Sequence, residues 1–113
     1  MGKITKYQQI ISNFLTTYAK DAQLSASAEV ETRLVIDTKH NSFQLLYIGW
    51  HGSKYIFSPI FHFDIIKDKI WIQCNNTELE INEILSLQGV DYQDIVLGFQ
   101  PPYVRETLAM AVA

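Results

Sequence analysis

The spacing of apolar residues changes near residue 29, and this change constrains the fold more than any other feature of the sequence. Before it, apolar residues recur at every third or fourth position, at Ile4, Tyr7, Ile10, Ile11, Phe14, Leu15 and Tyr18. This spacing predicts an amphipathic helix over residues 3–20 that packs its apolar stripe on a sheet. The small and polar residues 21–28 predict a connecting loop.

After residue 29, apolar and polar residues alternate, which is the period of a strand with one buried face. The runs predicted as strands cover residues 30–37, 43–50, 55–66 and 69–74. Because three short turns in succession join them, they predict a four-stranded antiparallel meander. Pro59 has no backbone N–H to donate, so the third strand lies at an edge, is bulged or is broken at that position.

The remaining residues predict a second helix and a short extended C-terminal segment. Residues 77–80 (Thr-Glu-Leu-Glu) have the capping-box pattern and predict the start of a helix of about ten residues. Gly89 followed by Val90 predicts its end. Residues 91–94 can form a further helical turn, residues 95–97 predict a short extended piece, and Pro101-Pro102 imposes an extended, donor-poor segment.

The length and composition fit a single α+β domain over residues 1–113. Hydrophobic residues make up 48% of the chain and charged residues 19%, which is an ordinary balance for a soluble globular protein. The sequence shows neither a signal-peptide centre nor an apolar stretch of the roughly 18 residues that span a bilayer. Cys74 is the only cysteine, which agrees with a reducing compartment. We therefore expect a cytoplasmic protein with no membrane contact.

The net charge of −3 argues against a protein that binds nucleic acid by itself, because phosphate binding needs clustered lysine and arginine. The nine basic residues are scattered, whereas Glu78, Glu80 and Glu83 make the second helix acidic. A solvated helix face is the favoured interpretation of these glutamates, and a surface for a basic partner is the alternative. If the protein acts on DNA, a partner supplies the contact.

Catalytic and metal-binding motifs are missing from the sequence. His40, His51 and His62 fall on different predicted elements, and with one cysteine they give no zinc or haem spacing, so we assign no metal and no cofactor. His62 and Asp64 alternate on one strand and project from one face, where a carboxylate could orient an imidazole. A local hydrogen-bonded pair is favoured over a ligand or enzyme pocket formed by Trp50, His62 and Asp64.

Two further groups of residues could bind a partner. The aromatic residues of the strands are interpreted as core in preference to a stacking or anchoring surface; they are Tyr47, Trp50, Tyr55, Phe57 and Trp71. Residues 98–105 combine a glycine, two prolines and aromatic residues, which stiffen a loop. This loop either closes the core or offers a preorganised docking surface through Pro101, Pro102, Tyr103 and Arg105.

Several short motifs are distributed along nearly the whole chain. They are Tyr7-x-x-Ile10, Gly49-Trp50, His62-x-Asp64-Ile65, Trp71-Ile72-Gln73, Asn75-Asn76-Thr77-Glu78, residues 94–99, residues 101–105 and Ala111-Val112-Ala113. Together they resemble the XisI family, the fdxN element excision controlling factors. The sequence departs from the family pattern at Lys67-Asp68, where a glycine turn is usual, and at residues 106–110, where the family more often has basic and aromatic residues.

The resemblance implies a cyanobacterial regulatory factor, and not an enzyme, for site-specific excision of a DNA element during heterocyst differentiation. It implies a nuclease-like XisH-like partner and a site-specific recombinase, with DNA contacted only indirectly, and it transfers no catalytic residue. Our hypothesis is a protein-binding module that presents Glu78, Glu80 and Glu83 to a basic partner surface. Self-association, for example through an edge strand beside Pro59, is an open alternative.

Overall fold

The structure, a computed structural model, describes residues 2–25 and 29–103. Its elements, in chain order, are α1 (Lys3–Ser25), β1 (Val30–Asp37), β2 (Ser42–His51), β3 (Lys54–Ile66), β4 (Lys69–Asn75), α2 (Ile81–Leu87), a 3₁₀ turn (Tyr92–Asp94) and β5 (Ile95–Leu97). The α+β class is confirmed. Neither helix in the described part of the chain combines the length and hydropathy that a bilayer crossing requires.

The sheet has five strands in the order β1-β2-β3-β4-β5. The first four pair as an antiparallel meander, as predicted, but β5 then pairs in parallel with β4. The predicted four-stranded sheet is therefore wrong by one strand. The run at residues 95–97 is too short to show a period, and its parallel pairing depends on the crossover through α2, which the spacing of apolar residues does not encode.

The first helix continues to Ser25, so the predicted loop over residues 21–28 begins too early. The added residues include Ala22 and Gln23, which favour helix, and no glycine or proline interrupts them. The longer helix places the Gln23 side chain beside β1, where its Oε1 accepts a hydrogen bond from the Thr32 backbone N–H at 2.9 Å. This contact satisfies one N–H on the outer edge of the sheet.

Pro59 produces the irregularity predicted for the third strand. Leu45 lies opposite Phe61, whereas Leu46 lies opposite Pro59, so Ile60 is an extra residue on β3. A bulge of this kind absorbs a residue that cannot donate to the ladder. It also changes the side-chain alternation of β3 at that point.

The second helix is shorter than predicted and has no capping box. Its N-cap is Glu80, which makes no side-chain capping bond. The Thr77 hydroxyl instead accepts from the Leu79 N–H at 3.1 Å, forming a local turn before the helix. The predicted stop is confirmed, since Gly89 has a φ of 109° and Val90 packs back as a buried residue.

After β5, residues 98–100 form a turn and a bend that lead to Pro101. Pro102 and Tyr103 have helical conformation. Proline is tolerated in the first turn of a helix, because the amide that it lacks has no helical partner there. The predicted extended segment is therefore wrong at Pro102.

The core lies between α1, α2 and one face of the sheet. The α1 residues Tyr7, Ile11 and Leu15 are buried, as their spacing predicted. They pack with alternate strand residues, among them Phe43, Leu45, Phe61, Phe63, Ile70 and Ile72. The second face of the sheet carries the intervening strand residues and points away from both helices.

A buried polar contact joins the start of α1 to the turn before β5. The Tyr7 hydroxyl donates to Asp94 Oδ2 at 2.6 Å, and Lys3 Nζ lies 2.9 Å from the same oxygen. Burial raises the pKa of the Asp94 carboxyl, but the hydrogen bonds from Tyr7 and Lys3 outweigh it, so its pKa lies below the ordinary value. Burial, followed by the same hydrogen bond, raises the pKa of Tyr7.

We predict that Tyr7→Phe lowers the free energy of unfolding by about 1 kcal/mol and that Asp94→Asn lowers it by about 1–3 kcal/mol. A depressed carboxylate pKa stabilises the fold above the unfolded value, about 3.9, and this stability is lost as pH falls through the folded pKa. Asp94→Asn should therefore lower the free energy of unfolding less at pH 3 than at pH 7, as measured by urea denaturation. Glu78→Gln, at an exposed position, is the control. An equal cost at both pH values would contradict this account.

Gly49 lies where β2 approaches the start of β1. Its φ is 147°, and a Cβ added there would lie 2.1 Å from the Glu29 backbone oxygen. We predict that Gly49→Ala lowers the free energy of unfolding by at least about 2 kcal/mol, because backbone must move. Gly52→Ala is the matched control, since its φ is also positive but nothing lies within 4 Å. Thermal unfolding should rank the two variants, and similar losses would refute the steric explanation.

Candidate functional site

A groove of about 220 Å³ lies between the end of β4, the start of α2 and the residues that follow β5. Apolar side chains from all three elements line most of it, and a carboxylate stands at its rim. Its lining residues include Ile72, Leu79, Glu80, Ile81, Leu97 and Phe99. The groove lies where two predicted binding segments meet, which makes it the candidate site.

One wall of the groove is held by Asn75, the last residue of β4. Its Nδ2 donates to the Leu79 carbonyl at 2.9 Å, and its Oδ1 accepts from the Thr77 N–H and hydroxyl at 3.1 and 2.6 Å. These bonds fix the turn before α2, and so place Leu79 and Glu80 at the rim. The motif at residues 75–78 therefore shapes the groove instead of capping the helix.

The opposite wall is held by backbone hydrogen bonds at the end of β5. The Gly98 N–H donates to the Ile72 carbonyl at 2.9 Å, and the Gln100 N–H donates to the Leu97 carbonyl at 3.1 Å. The resulting turn carries Phe99, which stays half-exposed at the rim. An exposed aromatic side chain on a hydrogen-bonded turn can bind a partner with little loss of conformational entropy.

The structure brings the two predicted partner-binding segments together through Glu80 and Phe99. Glu78 and Glu83 are also exposed, on either side of Glu80 in the chain. The C-terminal candidates Pro101, Pro102 and Tyr103 are exposed after Phe99, whereas Arg105 lies outside the described residues. Leu79, which sequence reasoning passed over, is the exposed apolar residue between two glutamates, and that placement was the available signal.

The structure also brings His62 and Asp64 together, on the second face of the sheet. His62 Nε2 lies 3.0 Å from Asp64 Oδ1, and the two side chains are 31% and 25% exposed. Ser42 Oγ lies 3.4 Å from the same His62 nitrogen, and Gln73 Nε2 donates to Asp64 Oδ2 at 3.3 Å. These residues form a polar cluster across β2, β3 and β4.

The geometry of this cluster does not match a catalytic triad. In a triad, the carboxylate holds one imidazole nitrogen and the nucleophile contacts the other, whereas Ser42 and Asp64 here share Nε2. Trp50 is not brought to the cluster, because it pairs with Tyr55 while His62 pairs with Gln44, six positions earlier on β2. The predicted pocket of Trp50, His62 and Asp64 is therefore not formed by this register.

The described part of the chain gives little support to a metal site or to a further catalytic residue. Within residues 2–25 and 29–103, no group of three or more His, Cys, Asp or Glu side chains could hold a metal ion. Burial raises the pKa of the Cys74 thiol, which disfavours the nucleophilic thiolate. His40 Nδ1 lies 2.7 Å from Asp37 Oδ2 in the β1–β2 turn, where it stabilises the turn.

The interpretation of the strand aromatics as core residues is wrong for three of them. Trp50 is 54% exposed, Tyr55 52% and Phe57 64%, whereas Tyr47 and Trp71 are partly buried. The three exposed residues lie on the second face, beyond the end of β4. Unbroken alternation along β3 placed Tyr55 and Phe57 on the same face as Phe61 and Phe63, but the bulge at Ile60 moves them to the second face.

The chain is a small α+β domain with helices packed on one face of a mixed sheet. It has a partly acidic surface groove beside α2. The family described as XisI protein matches residues 1–112, and the chain belongs to the XisI family. No curated protein matches the chain.

Two crystal structures of proteins from Anabaena variabilis have the same fold. A XisI-like protein is 40% identical, with a TM-score of 0.89 over 94% of this chain and 95% of that one. The fdxN element excision controlling factor XisI is 31% identical, with a TM-score of 0.80 over 92% of this chain and 99% of that one. The resemblance noted from the sequence motifs is thereby confirmed.

We predict that His62→Gln changes the free energy of unfolding by less than about 1 kcal/mol, because ion pairs this accessible contribute little. Asp64→Asn should have a similarly small effect, since Gln73 and Asp64 remain partly exposed. Chemical denaturation at neutral pH measures both variants. A loss above about 3 kcal/mol would show instead that the cluster is a structural element of the fold.

Proposed function

We propose that this protein is a regulatory factor for excision of a DNA element, and that it acts by binding a nuclease-like, XisH-like protein through the groove beside α2. Family membership supports the excision role, since a relative is an fdxN element excision controlling factor. The observation that carries the mechanism is the convergence of Glu80 and Phe99 on one groove. In this proposal, the nuclease-like partner transmits the regulation to a site-specific recombinase.

The groove has the composition of a protein-binding surface. Exposed apolar residues Leu79 and Phe99 lie beside exposed carboxylates, and Tyr103 extends the aromatic surface along the chain. Aromatic anchors supply most of the binding free energy in such interfaces, and charged rims steer the encounter and select the partner. A partner with a basic rim around an apolar pocket would complement this surface.

The same surface is unsuited to direct contact with DNA. The glutamates at 78, 80 and 83 would repel phosphates, and the chain as a whole is acidic, with a net charge of −3. A nuclease-like partner must carry a basic surface to hold its substrate. The acidic groove can cover or orient part of that basic surface, which gives a physical route to control of DNA processing without a catalytic residue in this chain.

Charge reversal tests the mechanism. We predict that Glu78→Lys, Glu80→Lys and Glu83→Lys together weaken binding to the co-expressed nuclease-like protein about 10-fold or more at low salt. The difference should shrink at high salt, because screening weakens the wild-type attraction. Calorimetric titration at two ionic strengths measures both effects.

The control is a triple reversal with the same change in net charge away from the groove, Asp21→Lys, Glu29→Lys and Asp68→Lys. It should retain most of the affinity if the groove is the contact. If both triple variants lost the same affinity, the change in net charge alone would explain the loss. Unchanged affinity in the groove variant would refute the acidic contact, and the absence of any complex would refute the proposed partner.

A further inference from the structure

The β2–β3 hairpin carries apolar side chains on both faces near its turn. On its second face, three cross-strand pairs of β2 and β3 form what we call the aromatic ladder: Leu46 with Pro59, Ile48 with Phe57, and Trp50 with Tyr55. The Trp50 and Tyr55 rings lie 5.2 Å apart between centroids. Strands that are apolar on both faces are typical of sheets covered on both sides.

The second face of β3 differs on the two sides of the bulge. After the bulge at Ile60, its second face carries His62 and Asp64, so the strand alternates polar and apolar residues as a half-exposed strand should. Before the bulge, the same face carries Phe57 and Tyr55. The change from polar to aromatic residues within one strand indicates that the ladder end of this face is built to be covered.

The area of the ladder is suited to a dimer. At exposures of 52–64%, Trp50, Tyr55 and Phe57 present about 300–400 Å² of aromatic surface. A stable interface takes about 800 Å² from each partner, and its apolar centre is surrounded by a polar rim. The ladder with the neighbouring residues of β1 can supply the centre and the rim.

The rim carries both signs of charge. Glu31 lies opposite Ile48, and Arg33 lies opposite Leu46, on the same face as the ladder. Their side chains are 57% and 53% exposed. Within the chain the two already pair, with Arg33 Nη2 2.5 Å from Glu31 Oε2. In a two-fold interface a surface meets itself, so a rim of one sign would repel its copy, whereas this paired rim does not. Such a balanced rim favours neither a basic partner nor a nucleic acid.

We infer that the aromatic ladder is the contact between two copies of this chain, packed face to face by their sheets. The bound partner is a second copy because the surface has the apolar centre and the charge-balanced rim that a two-fold interface needs. The contact leaves the groove beside α2 free, since core residues Ile72 and Ile81 line the groove on the helix-covered face of the sheet. The dimer can therefore present two grooves.

The test is the oligomeric state of the whole chain. Sedimentation equilibrium should show a reversible dimer in the micromolar range. Phe57→Ser should raise the dimer dissociation constant about 100-fold, because an isologous interface contains each residue twice and an aromatic centre residue contributes strongly. Leu87→Ser is the control, since Leu87 is 86% exposed on α2, away from the ladder. A monomer at all concentrations would overturn the inference, as would equal effects of the two variants.

Cross-linking tests the same surface without a variant that weakens dimer association. Phe57→Cys in a Cys74→Ser background should give a covalent dimer with a short bismaleimide, and Leu87→Cys in the same background should not. Circular dichroism confirms that both variants fold. Equal cross-linking at the two positions, or none at Phe57→Cys, would overturn the assignment of this face. Neither outcome depends on the excision partner, so the groove proposal is tested separately.

Discussion

The packing of α1 on one face of the sheet is the contact on which the rest of the structure depends. Phe14 and Tyr18 meet Phe61 at ring-centroid distances of 5.4 and 4.9 Å, both in edge-to-face geometry. These contacts bury one face of β2 and β3 and leave the second face to solvent or to a partner. Tyr7 and Asp94 then join the helix to β5, which completes the sheet edge beside the groove.

Hydrophobic spacing predicted the elements whose contacts are local and repetitive. Helix α1 and the first four strands followed from it, and Pro59 marked the bulge because a missing N–H has one structural consequence. The fifth strand did not follow, since three residues have no period and their partner is set by a crossover. The Thr77 motif failed because a hydroxyl that can cap a helix can also close a turn, and Asn75 decides between them.

The candidate site was only partly predictable for the same reason. The glutamates and the Pro101-Pro102-Tyr103 segment were predicted as separate surfaces, and the convergence of Glu80 with Phe99 is a property of tertiary structure. Trp50 was grouped with His62 because residue type suggested a pocket, but strand register separates them. The groove opens on the helix-covered face and the aromatic ladder lies on the second face of the sheet, so partner binding and self-association need not compete.

The proposed function depends on the groove beside α2 as the surface that binds the partner. Hydrogen–deuterium exchange of the chain, alone and with the co-purified nuclease-like protein, shows which surface is covered. Exchange in the complex should slow at residues 77–83 and 97–103, with little change at residues 42–44 and 62–64. Protection confined to the His62 and Asp64 cluster, or no protection at the groove, would contradict it.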